Sequence, residues 1–113
     1  MVARNKLQDA PPFPVEQALK RLGANLRTAR IRRNLTIEDA ADRIGTGPRA
    51  VMDAEKGKAS TGIVAYMGLL WLYDLLQPME DVADPSQDKE GLSLEAAKGR
   101  MRVRKGAGLD NDF

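Results

Sequence analysis

Apolar residues recur along this chain in helical order. Between Pro14 and about Asn34, Leu19, Leu22, Leu26 and Ala29 follow one another at spacings of three and four, with lysines and arginines on the other faces. That spacing predicts an amphipathic helix. Thr36 suits an N-cap, and Asp39 three positions on matches the acidic partner of a capping box. Ile37, Ala40, Ala41 and Ile44 then form one apolar face, so a second, shorter helix is expected over 37–44. Gly45-Thr46-Gly47 interrupts it, because glycine tolerates the left-handed backbone that ends helices, and Pro48 is pre-set for a first helical position. A third helix is expected over 48–56, with Val51 and Ala54 inward and Arg49, Met52 and Asp53 outward. From Ile63 the chain is apolar on nearly every face, which predicts a fourth helix running to about 74–76, buried all round or shared with a partner, with Trp71 in the core. Pro78 is expected to open a fifth helix ending near Ala83, and Asp84-Pro85 to close the globular part.

The ends read differently. Ala10-Pro-Pro-Phe-Pro14 resists helix and predicts an extended lead-in. Residues 86–113 are polar, glycine-containing and weakly patterned, a tail expected to order on binding, with Met101–Arg104 the one candidate for a short strand. The fold class is therefore all-α: a five-helix domain over 14–84, a flexible N-terminal arm over 1–13, and a flexible, partner-binding C-terminal tail over 85–113.

Composition narrows the chemistry. The 113 residues suit one compact domain, and the chain has neither cysteine nor histidine, which removes disulfides, thiolate metal sites and the usual general base near neutral pH. No catalytic constellation and no cofactor is expected. The longest apolar stretch, Ile63–Tyr73, falls well short of the roughly 20 residues a membrane span requires. Residues 1–13 have no signal-like apolar core, so a cytoplasmic location is expected.

The net charge of +2 conceals a strong asymmetry. Residues 1–34 carry eight basic side chains against two acidic ones, whereas residues 59–97 carry one basic against seven acidic. Such polarity suits a molecule that turns one part toward a polyanion and another toward a different partner.

Two short helices joined by a three-residue glycine turn have the geometry of a helix-turn-helix. Ala41 lets the helices approach where they cross, and Ile44 and Val51 fix the angle between them. The second helix would then present Arg49 to a major groove, where a guanidinium can read guanine O6 and N7. Thr36, Thr46 and Gly47, beside helix N-termini, are candidates for phosphate contacts through hydroxyl or backbone N–H groups. Arg43, Lys56 and Lys58 add charge, while Arg32 and Arg33 are either phosphate contacts or solvated surface. Glu55 is expected to support the fold. The candidate interface between two copies is Leu69, Leu72, Tyr73, Leu75 and Leu76.

The stretch from Leu22 to Gly45, followed by Ala54-Glu-Lys-Gly57, resembles the Cro and lambda-repressor (Xre) helix-turn-helix family. Its wider pattern is similar to HipB-type antitoxins: the Pro-rich lead into Val15-Glu-Gln-Ala-Leu-Lys-Arg-Leu-Gly23, Ala29-Arg-Ile-Arg-Arg33, Leu69-Leu-Trp-Leu-Tyr-Asp-Leu-Leu76, and Val82-Ala-Asp-Pro85 then Asp88-Lys-Glu-Gly91 carry that likeness. The resemblance implies a homodimeric repressor that binds a double-stranded DNA operator and partners a HipA-type serine/threonine kinase toxin. It leaves two alternatives: a stand-alone Xre-type repressor, and a module that neutralises a toxin without reading DNA. The chain departs from the family at Gly47, Pro48, Ala50, Met52 and Asp53, where polar readers are usual, and at Ile37, where glutamine is frequent. Arg49 is left as the strong base reader, with much of the affinity expected from phosphates, DNA shape and dimer geometry.

Overall fold

The computed structural model describes residues 5–104, and all regular structure among them is helical. The elements are α1 (Lys6–Asp9), α2 (Phe13–Arg32), α3 (Ile37–Ile44), α4 (Pro48–Glu55), α5 (Ile63–Leu72), α6 (Gln77–Glu80), a 3-10 turn at Pro85–Gln87, and α7 (Lys89–Arg104). The chain divides into two compact units between Gln77 and Pro78, earlier than the boundary expected at 84/85.

In the first unit the lead-in is not wholly extended. Asn5 caps α1 by accepting a hydrogen bond from the N–H of Gln8, and α2 opens at Phe13 because Pro12 and Pro14 occupy positions whose N–H groups a helix does not use. Leu26 and Ala29 of α2, Ala40 and Ala41 of α3, Val51 and Ala54 of α4, and Tyr66, Leu69 and Leu70 of α5 form the core with Tyr73. Burying each larger side chain among them contributes about 1.5–3 kcal/mol. α4 lies at the centre of this packing, against α2, α3 and α5.

The crossing of α2 and α4 is close. A Cβ on Gly23 would stand 2.6 Å from the Ala54 carbonyl oxygen, and one on Gly57 would stand 2.5 Å from that of Leu19. Gly57 also has φ +68°, so a glycine is required there on both counts.

Two expectations from the pattern are corrected in α5. The helix stops at Leu72, because Asp74 turns the chain at φ 60° and the Leu75 N–H bonds the Leu70 carbonyl, so Leu75 and Leu76 lie beyond the helix. Trp71 is 62% exposed rather than core. At about 100° per residue, Tyr66, Leu69 and Leu70 take the inner arc of α5, and Trp71 falls on the outer arc with Ile63 and Val64.

The expected fifth helix is a single turn, α6, which straddles the division, and in the second unit the expected tail contains a full helix. Asp84 caps the 3-10 turn by accepting from the backbone N–H and the hydroxyl of Ser86, and Asp88 accepts from the Gly91 N–H at the start of α7. Glu90 sits in the first turn of α7, and Lys98 and Arg100 lie toward its C-terminal half, which suits the helix dipole. Met101–Arg104, the candidate strand, belongs to this helix. The closing Leu109–Phe113 segment, read as part of the tail, lies outside the described residues.

Candidate nucleic-acid interface

Thr36 and Asp39 start α3 as their spacing predicts. The Thr36 hydroxyl oxygen accepts from the Asp39 N–H and the Asp39 carboxylate accepts from the Thr36 N–H, both at 3.0 Å. Those bonds hold the Asp39 carboxyl below its ordinary value. They also engage the Thr36 N–H, so the group left for an outside ligand is the hydroxyl proton. Gly45 ends α3 at φ 79°, and the N–H groups of Gly45 and Thr46 both bond the Ala41 carbonyl at 2.9 Å. Thr46 therefore also has its hydroxyl, and not its N–H, to offer. Gly47 is the exposed N-cap of α4, and Pro48 is its first residue.

Helical spacing then sorts α4. Val51 and Ala54 are fully buried, while Arg49 is exposed in the first turn and makes no hydrogen bond or ion pair among the described residues. Met52 and Lys56, three and seven positions on, share its outward face, with Met52 half-buried and Lys56 exposed. Asp53 is half-buried and pairs with Lys58 at 3.5 Å, so Lys58 is partly neutralised. The Lys58 carbonyl accepts from the Tyr66 hydroxyl at 3.0 Å, which ties this loop to α5.

Behind α4 lies a buried ion pair. Arg30 Nε donates to Glu55 Oε2 at 2.6 Å and Nη2 donates to Oε1 at 3.0 Å, with the two side chains 10% and 6% exposed. Nη1 also donates to the Leu35 carbonyl at 2.9 Å. The bond to Glu55 raises the Arg30 pKa above its ordinary value, so the charge is permanent. Glu55 thus has the supporting role expected of it. Arg30 was counted only as basic surface, although its place beside Ala29 and four residues after Leu26 puts it on the inner arc of α2.

A surface hollow of ≈ 240 Å³ opens above this pair, lined by Arg27, Arg30, Ile37, Met52, Glu55 and Lys56. It joins α2, the first residue of α3 and the outward face of α4. Arg27 had not been singled out from the sequence.

The remaining candidates are placed elsewhere. Arg43 is exposed in the last turn of α3. Arg32 lines a separate hollow with Asn25, Thr28 and Leu75. Arg33 Nη1 donates to the Ala29 carbonyl and Nη2 to the Tyr73 carbonyl, with its guanidinium 5.4 Å from the Tyr73 ring centroid. It therefore clasps the end of α2 to the end of α5. Among the expected interface residues, Leu69 and Tyr73 are 0% and 1% exposed, so both belong to the protomer core and are closed to a partner. Burial also pushes the Tyr73 phenol up. Leu72 and Leu76 are half-buried, and Leu75 is exposed.

No group of three or more acidic residues among the described ones is arranged to hold a metal ion, and none of their helices is long and apolar enough to cross a membrane. Comparison of the chain with protein-family models, curated proteins and solved structures finds no match.

Proposed function

We propose that this protein is a transcriptional repressor that binds double-stranded DNA as a homodimer, with α3 and α4 acting as a helix-turn-helix and α4 entering the major groove. The observation that carries this reading is Arg49: an exposed, unengaged guanidinium in the first turn of a short helix whose opposite face is locked into the core. Thr36 and Thr46 offer hydroxyl donors to phosphate beside it, and Lys56 adds positive charge on the same face. With one strong base reader, specificity is narrow. Arg49→Ala therefore lowers affinity for the duplex upstream of the protein's own coding sequence by about 1–3 kcal/mol and leaves affinity for a scrambled duplex nearly unchanged. Fluorescence anisotropy at one salt concentration makes the comparison. Equal loss on both duplexes would exclude base reading by Arg49.

The resemblance of the sequence to HipB-type antitoxins supports a narrower form of the same reading. The protein is then the antitoxin and autorepressor of its operon, catalyses no reaction itself, and acts in the cytoplasm on a HipA-type kinase. Pull-down of the full chain from its native host should recover a serine/threonine kinase and suppress that kinase's autophosphorylation. Recovery of DNA-binding activity without any kinase would leave a stand-alone repressor.

A further inference from the structure

We infer that Arg27 and Lys56, which line the same hollow beside α2, α3 and α4, form a clamp for one phosphate of the DNA backbone. The inference rests on the DNA-binding reading and specifies where the duplex backbone is held.

The charge of the hollow carries the argument. Three cations, Arg27, Arg30 and Lys56, line it with one carboxylate, Glu55, and that carboxylate is fully engaged by Arg30 in a two-point ion pair. Arg27 and Lys56 are left without an acidic partner among the described residues, and both are exposed. Ile37 and Met52 complete the lining, and their apolar side chains displace water and weaken screening of the two charges. Ile37 is also the first residue of α3, but Asp39 caps that end and Glu38 lies close enough to act on Arg30, so the helix dipole adds no net positive charge and the excess comes from the side chains of Arg27 and Lys56. The site thus has an excess of positive charge and a shape that admits a small anion.

Its position selects the anion. Lys56 lies on the face of α4 that carries Arg49, seven residues further on, which is two helical turns or about 10 Å along the axis. A duplex whose bases meet Arg49 has its sugar-phosphate backbone at the wall of the groove, within reach of side chains two turns along the reading helix. Arg27 then closes on the same phosphate from α2. The clamp fixes register and carries no sequence information, which suits a reading helix with few base-contacting side chains.

Salt dependence of binding tests this, because each phosphate neutralised adds about 0.9 to the slope of log K against log salt. The full chain is titrated with its own upstream duplex and with a scrambled duplex of equal length at several salt concentrations. Arg27→Gln and Lys56→Gln should each weaken binding, and only the two together should flatten the slope, by about 0.9 and equally on both duplexes, while Arg27→Lys with Lys56→Gln restores most of it. Arg21→Gln, on a different face of α2 with Gln17 and Asn25, should leave it unchanged. Both altered side chains are exposed, and thermal melting confirms that the fold is retained. Steep wild-type slopes that survive Arg27→Gln and Lys56→Gln together would overturn the clamp and leave DNA binding intact. An equal flattening by Arg21→Gln would reduce the effect to overall charge and also overturn it. Failure of the wild-type chain to bind either duplex at low salt would remove the DNA-binding reading and the clamp together.

Discussion

At the scale of single residues, the Arg30–Glu55 pair shows how a charge can be structural while the other described cations are exposed. Its three hydrogen bonds join the end of α2, the loop at Leu35 and the end of α4, and thereby hold α4 against α2. Taking two charges out of water is costly, so the pair is worth less as net stability than as a constraint on geometry. Removing one partner is another matter, since it strands the other charge. Glu55→Ala should therefore destabilise the fold by about 3–5 kcal/mol, whereas Arg30→Met with Glu55→Leu together should recover most of that loss. Urea unfolding followed by circular dichroism separates the two. Similar losses for the single and double variants would show that the site requires the charges themselves.

At the scale of elements, α3 and α4 were legible because their signals are local: an N-cap and its acidic partner, a glycine turn, a proline at a first helical position, and apolar residues at helical spacing. Each acts within a few residues and needs no knowledge of what packs where. The sites that were misread depend on contacts between distant segments. Gly23 looks like a weak point within α2, and only the Ala54 carbonyl 2.6 Å from its absent Cβ explains it. Trp71 could not be assigned from hydropathy, because every residue of α5 is apolar or glycine and the pattern has no polar face to mark the outside. The same uniformity hid the burial of Leu69 and Tyr73. In α7 the apolar residues do not repeat on one face, and Leu92, Leu94 and Met101 are all exposed, so periodicity gave no signal. Asp88, which accepts from the Gly91 N–H at its start, and Glu90 in its first turn did carry one. Of the candidate site, Arg49 is exposed on the outward side of α4 with Lys56 on the same face, Arg33 is a clasp between the ends of α2 and α5, and Arg27 joins them only where three helices come together.

At the scale of the whole molecule, the exposed arc of α5 bears on how many copies act together. Ile63, Val64 and Trp71 are 65%, 79% and 62% exposed and lie within one arc of the helix, with half-buried Met67 between them. A continuous apolar stripe of this kind on a small protein marks an interaction surface. A second copy is the occupant that the proposed function requires, since a two-fold pair presents two reading helices about one DNA turn, roughly 34 Å, apart and binds both half-sites as a unit. On that proposal the interface would lie on the outer arc of α5 and not at the buried Leu69 and Tyr73. Sedimentation at micromolar concentration should show a dimer, and Trp71→Arg or Val64→Arg should yield a monomer whose melting temperature changes little, because both side chains face water in the protomer. Operator affinity should then fall by about a hundredfold or more, as the second half-site no longer binds at high effective concentration. Arg49→Ala, in contrast, should leave the dimer intact while weakening the operator complex. A wild-type chain that sediments as a monomer would remove the two-fold reading, and if Trp71→Arg then released a co-purified kinase, the stripe would belong to that partner instead.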